Sequence, residues 1–161
     1  MRTRMIGRRP WVAAALLAVL TMPALADLVA GQPLPALRLK DQHDQDWYVR
    51  ADTQLVIFAA GRKASSLVQG VLDGRPKGFL AAHHAVYLAD MSKMPGIITR
   101  TFALPSLREQ NYEVGVSLDE KTLAGWPRQD DAVTLIRLAQ GRYASHVYAT
   151  SELQIRAALG L

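Results

Sequence analysis

The sequence predicts an α/β fold, a three-layer sandwich whose mixed central sheet carries an N-terminal hairpin and ends in a C-terminal β-hairpin plus helix. Three observations predict it. Residues 54–60, QLVIFAA, are apolar at every position after Gln54, the mark of a strand covered on both faces and therefore central. A second such run, AVYLA at 85–89, follows a segment of helical period, so a crossover joins two parallel strands. Two alternating segments, 133–138 and 143–148, flank the turn Ala139-Gln140-Gly141-Arg142 and read as an antiparallel hairpin.

In chain order, residues 28–36 are rich in Pro and Gly and read as extended chain. The Leu37-x-Leu39 alternation, a polar turn from Asp41 to Asp46, and Trp47-Tyr48-Val49 make the first hairpin. After Gly61, the spacing Leu67, Val68, Val71, Leu72 marks one helix face, ended by Gly74 and Pro76. Beyond the second central strand, Asp90 to Ser92 lead into a helix with Pro95 near its first turn and Ile97, Ile98 and Phe102 on its apolar side. Leu104-Pro105 interrupts that helix, Ser106-x-x-Glu109 restarts a short one through a capping box, and Tyr112 to Ser117 alternates as a strand. Ser151-x-x-Gln154 caps the last helix, whose Ile155, Ala158 and Leu159 share a face.

The first 26 residues are expected to be a signal peptide, with residues 27–161 forming a single cysteine-free domain. Arg2, Arg4, Arg8 and Arg9 open the chain, Trp11 to Met22 is an apolar run, and Ala24-Leu25-Ala26 is the small-x-small pattern that signal peptidase accepts. A spanning helix needs roughly 20 apolar residues, and this run stops at Pro23, so no stable membrane anchor is expected. Arg8-Arg9 fits a twin-arginine signal poorly, which leaves ordinary Sec export, to the periplasm of a Gram-negative-type bacterium. Cleavage before Asp27 removes those arginines and drops the formal charge from +5 to +1, so nucleic acid is excluded as a partner for want of a concentrated basic face. With no cysteine anywhere, disulfides, zinc–thiolate sites and thiol catalysis are excluded, and packing alone must hold the domain together.

The stretch Gly31-Gln32-Pro33-Leu34-Pro35-Ala36-Leu37-x-Leu39-x-Asp41 is similar to the opening of peroxiredoxin and periplasmic thiol-oxidoreductase domains, and Val133 to Leu161 is similar to the last hairpin and helix of thioredoxin. The chain thus resembles the thioredoxin-like superfamily over nearly all of its mature length. The resemblance implies a reactive Cys-x-x-Cys, or a single peroxidatic cysteine, at the helix that follows the central strand. That place is occupied by Lys63-Ala64-Ser65-Ser66. A serine hydroxyl is far too weakly acidic to replace a thiolate there, so dithiol exchange and thiol peroxidase activity are ruled out. The superfamily's cis-proline has only Pro127 as its counterpart, set apart from the next strand by Arg128 to Asp131.

What remains is a candidate binding edge made of Arg62, Lys63, Ser65, Ser66, Trp126 and Pro127. Ser65 and Ser66 at a helix start offer either a cap or, with Arg62 and Lys63, an anion site, and capping is the simpler reading. Trp126-Pro127 and the segment Met91, Met94, Pro95 are read first as packing and second as an apolar recognition surface beside the same edge. His83 and His84 point to opposite faces of a strand, and the turn holding His43 lacks the glycine and final glutamate of a calcium loop, so no metal is assigned. There is no G-x-S-x-G elbow and no G-x-G-x-x-G loop. The expected function is noncovalent binding of a periplasmic protein, peptide or small ligand without a cofactor. The alternative is an oxidoreductase using a bound flavin or metal.

Overall fold

A computed structural model describes residues 27–161, so the expected signal peptide lies outside the described residues. The elements are β1 (Leu39–Asp41), β2 (Asp46–Trp47), β3 (Leu55–Ala60), α1 (Arg62–Leu72), α2 (Phe79–Ala82), β4 (Ala85–Asp90), α3 (Gly96–Ile98), a π-helical turn (Thr99–Ala103), α4 (Leu104–Arg108), β5 (Val114–Ser117), β6 (Val133–Ala139), β7 (Arg142–Ala149) and α5 (Glu152–Leu159). All seven strands join one sheet in the order β2-β1-β5-β4-β3-β6-β7. The expected pairings are present: β3 and β5 each lie parallel to β4, with Ile57 opposite Tyr87 and Leu88 opposite Gly115, while β6 and β7 form an antiparallel hairpin. β6 also runs antiparallel to β3, and the short β1–β2 hairpin joins the far side through β5.

The period-2 alternation of β3 divides the core into two layers. Leu55, Ile57 and Ala59 face α1 and α5, packing with Val68, Val71, Ile155 and Leu159. Val56 and Phe58 face the other way, toward Trp47, Leu123, Trp126 and Ile136. Four of the helices contribute to the first layer, through Val68 of α1, Leu80 of α2, Leu107 of α4 and Ile155 of α5. The strand order explains this: β3, β4 and β5 step across the sheet in one direction, so right-handed crossovers place both connecting helices on the same face. The opposite face is covered by Leu28, Leu34 and Leu37 of the extended N-terminal segment and by turns that carry Leu123 and Trp126. The third layer of the sandwich is therefore coil.

Two readings of the segment after β4 are corrected. Leu104-Pro105 does not interrupt the helix, and Ser106 does not restart one: residues 96–108 run without a break. Proline has no N–H and its ring collides with the carbonyl four residues back. Here the Leu104 N–H donates to the Thr99 carbonyl, five residues back, and this wider turn accommodates Pro105. The apolar side is also not the expected one. Thr99 and Leu107 are the buried residues, with Ala103 and Leu104 packed beside them, whereas Ile97 is 77% exposed and Phe102 68%. The Thr99 hydroxyl can be buried because it donates to the Pro95 carbonyl at 3.3 Å.

Close approach fixes Gly115. A Cβ built there would meet the Trp47 ring at 2.5 Å, and Trp47 is itself buried between β1 and the coil layer. A Cβ at Gly115 would press on a buried indole ring that must shift to admit it, so Gly115→Ala is expected to cost about 1–3 kcal/mol in urea unfolding. Gly70, exposed in the middle of α1, is the internal control. A Cβ there meets only the tip of the Glu152 side chain, which can swing away. Gly70→Ala is therefore expected to be neutral or stabilising by up to about 1 kcal/mol, the usual gain for alanine in a helix interior. Equal losses at the two positions would refute this account of Gly115.

Candidate functional site

The parallel strands end along one edge of the sheet. Ala60, Asp90 and Ser117 are in register there, as the last residues of β3, β4 and β5. Ligands in open α/β sheets bind beyond these carboxyl ends. The chain leaves β3 through Gly61, whose φ of 113° and ψ of 167° lie in a region essentially reserved for glycine, and turns at once into α1. Helix α1 thus begins at Arg62, at the edge.

This start places the four predicted residues on α1 in different surroundings. Arg62 is exposed, with no ionic partner among the described residues, and Lys63 is exposed and pairs with Asp131 at 3.0 Å. Ser65 and Ser66 fall one turn inside the helix, so neither is its cap, contrary to the capping expectation. The N-cap is Gly61, without a side-chain bond. The Ser65 N–H already donates to the Gly61 carbonyl, and the Ser66 hydroxyl donates back to the Arg62 carbonyl, so these serines do not present donors to an anion. Ser65 turns toward Tyr87. Burial pushes the Tyr87 phenol far up, and the hydrogen bond with Ser65 offsets this only in part, so the phenol stays neutral.

Trp126 is the clearest correction at the edge. It is 2% exposed and packs edge-to-face on Phe58 with ring centroids 5.5 Å apart, which makes it core. Pro127 is half-buried and trans, since no cis peptide occurs among the described residues, and its carbonyl accepts from the Thr134 hydroxyl at 2.8 Å. Pro127 therefore ties the loop to β6. Met91 is buried as well.

The residue that organises the edge was not among those predicted. Arg128 Nη1 donates to Asp90 Oδ2 at 2.8 Å, Nη2 donates to the Leu123 carbonyl, and the guanidinium carbon lies 5.4 Å from the centroid of the Phe58 ring. The Asp90 side chain is only 3% exposed, and its other oxygen accepts from the Ser92 N–H and hydroxyl. The pair thus closes the end of β4 with a neutralised, fully hydrogen-bonded carboxylate. A signal existed in the sequence, because a lone acid closing an all-apolar strand at its carboxyl end must find a cation or stay protonated. Its partner lies 38 residues away, and nothing local links the two.

At this edge Asp90 is engaged on both oxygens and Lys63 is paired. Beside the edge, the helix following β4 exposes Ile97, Ile98 and Phe102. Among the described residues no helix is long and apolar enough to cross a membrane, and no three potential metal ligands converge.

No protein-family model matches the chain, and no curated protein matches its sequence. Solved structures do. An uncharacterized thioredoxin-like protein from Porphyromonas gingivalis superposes with a TM-score of 0.51 at 12% identity, covering 83% of this chain and 92% of its own. A peroxiredoxin-like protein from Aquifex aeolicus matches with a TM-score of 0.51 at 11% identity, over 83% of this chain and 87% of its own. StoA from Bacillus subtilis matches with a TM-score of 0.50 at 9% identity, over 78% and 98%. At such identities the likeness speaks for the fold alone. Together with the parallel β3-α1-β4 unit and the terminal hairpin and helix, it establishes that this cysteine-free chain has a thioredoxin-like fold.

Proposed function

We propose that this protein is an exported, periplasmic binding or adaptor module that recognises a protein or peptide noncovalently along the edge where β3, β4 and β5 end. One observation carries the reading: Ile97 and Phe102, two large apolar side chains from the helix after β4, stand more than two-thirds exposed next to that edge. Exposed apolar side chains grouped on one element mark interaction surfaces more often than scattered ones do. The polar groups nearby support it. Arg62 is open to a partner, while the Lys63–Asp131 pair sits at the surface, where such pairs steer more than they stabilise. The missing thiols leave noncovalent contact as the means of engagement.

A photo-crosslinking residue at position 97 is expected to yield discrete adducts in the native periplasm. The same residue at Ser145, exposed on β7, is expected to yield none. Adding Phe102→Asp should abolish the adducts at 97 with little change in the melting transition, because Phe102 is 68% exposed and lies outside the core. Adducts that are identical from both positions, or that survive Phe102→Asp, would refute the location. Substrate turnover by the purified, thiol-free protein would refute the binding reading itself.

A further inference from the structure

The helix after β4 gives up two of its internal hydrogen bonds where it is most exposed. Residues 96–108 run unbroken, yet the Leu104 N–H donates to the Thr99 carbonyl, five residues back, and not to Arg100, its regular acceptor. The Thr101 carbonyl is the regular acceptor for residue 105, and Pro105 has no N–H to give it. Neither carbonyl therefore receives the bond that an α-helix supplies. Arg100, Thr101 and Phe102 are all exposed, so the two acceptors belong to the solvent side of the helix, flanked along the chain by exposed Ile97, Ile98 and Phe102.

In the free protein water can satisfy these carbonyls. An apolar partner that covers Ile97 and Phe102 expels that water, and an acceptor left unpaired in the contact opposes binding. The occupant must therefore carry N–H donors within an apolar body. Net charge does not select it. Lys93 and Arg100 form no ion pair among the described residues, but the turn after β5 brings Asp119, Glu120 and Lys121 toward the start of the helix, where the Ser117 carbonyl accepts from the Met91 N–H at 2.9 Å. Arg108 and Glu109 offset each other at its far end. A neutral donor suits such a balance, because a charged one would shed its water against apolar side chains. An extended peptide meets both needs, since its backbone offers N–H groups to either side between its side chains.

We propose that the exposed surface of this helix takes an extended, uncharged apolar peptide segment, whose backbone N–H groups donate to the Arg100 and Thr101 carbonyls while its large side chains lie against Ile97, Ile98 and Phe102. The assignment rests on the recognition edge described above and names what that edge receives. Pro105 is then a positioning residue, acting through the hydrogen bond it withholds.

The probe is the acetylated and amidated peptide Ser-Leu-Phe-Leu-Ser. Its counterpart is N-methylated at the three apolar residues, which removes those donors and keeps the side chains. Both are titrated into the purified protein under amide NMR detection. The first is expected to give saturable shifts at Ile97, Thr101 and Phe102 with an affinity in the millimolar range or better, and the methylated peptide to bind at least about fivefold more weakly, the effect of about one unmade hydrogen bond. Pro105→Ala places an N–H against the same carbonyls. It should weaken the first peptide to a similar degree and leave the methylated one unchanged, a pattern that general disruption of the helix would not produce. Its melting temperature should hold or rise, because alanine replaces a proline inside a helix. Equal binding of the two peptides, unchanged affinity in Pro105→Ala, or no saturable shift at these amides would overturn the proposal. So would movement of the same amides with phosphatidylglycerol vesicles or with protein concentration alone, which would assign the surface to lipid or to a second copy. Crosslinking from position 97 judges the recognition edge separately: adducts there beside a failed peptide test sink only the hydrogen-bonding proposal, whereas their absence sinks both.

Discussion

Trp126→Ala is expected to lower the unfolding free energy by about 3–5 kcal/mol, the range for deleting a buried large aromatic, and to reduce the melting temperature by on the order of 10 °C. The ring is 2% exposed and lies against Phe58, whose ring also meets the Arg128 guanidinium. Leu123 and Ile136 share its cluster. No helix covers this face, so coil has only a few side chains with which to fill the space, and the cavity left by alanine would not collapse easily. Trp126→Phe separates packing from hydrogen bonding. The indole Nε1 is buried without a partner, so phenylalanine removes an unsatisfied donor while keeping most of the ring contact. Its expected loss is about 1–2 kcal/mol, well below that of alanine. Denaturant unfolding followed by circular dichroism measures both, and an alanine variant as stable as the phenylalanine one would show that Trp126 is not the keystone of this layer.

That expectation reverses the reading of Trp126 as part of an exposed binding edge, and the reason bears on what a sequence discloses. Trp126-Pro127 sits in a stretch without period, where nothing distinguishes a ring that faces solvent from one that covers a sheet. The strands were legible because both faces of β3 and β4 are buried, so QLVIFAA and AVYLA carry the information in every residue. The final helix was legible because its capping box is local: Ser151 and Gln154 bond each other's backbone. Gln42 is the converse case. It belongs to a turn that reads as polar and solvated, yet it is buried, its amide donating to the Tyr112 carbonyl at 2.7 Å and its Oε1 accepting from the Val114 N–H at 3.1 Å. Those contacts span about seventy residues, and no window of sequence contains them.

The helix after β4 failed for a related reason. Ile97, Ile98, Phe102, Ala103, Leu104 and Leu107 distribute apolar residues over more than one face, and only the sheet decides which face is used. The sheet selects the Thr99, Ala103 and Leu107 side, which leaves Ile97 and Phe102 outside. Pro105 would ordinarily end such a helix, and the π-helical turn lets it continue instead. This departure from local expectation coincides with the surface proposed for a partner, as expected where folding preference and function compete.

Arg128→Met is the second large expectation, a loss of about 3 kcal/mol. Removing the guanidinium strands an Asp90 carboxylate that is 3% exposed and retains only the two donors of Ser92, both on the same oxygen. Breaking a buried pair from one side typically costs about 3–5 kcal/mol, and the lower end applies because Arg128 is 30% exposed and water can enter behind it. The companion variant, Asp90→Asn with Arg128→Met, removes the charge as well as its partner, and the amide oxygen still accepts from Ser92. It is expected to recover at least half of the loss, because the penalty lies in the unpaired charge rather than in the missing bridge. If Arg128→Met instead costs under about 1 kcal/mol, the pair behaves as a surface bridge and the end of β4 is wetter than its burial implies. A large loss with recovery in the double variant would mean that this edge is sealed by a satisfied ion pair, so that a partner docking there must use the exposed side chains around it, Arg62, Ile97 and Phe102, rather than Asp90.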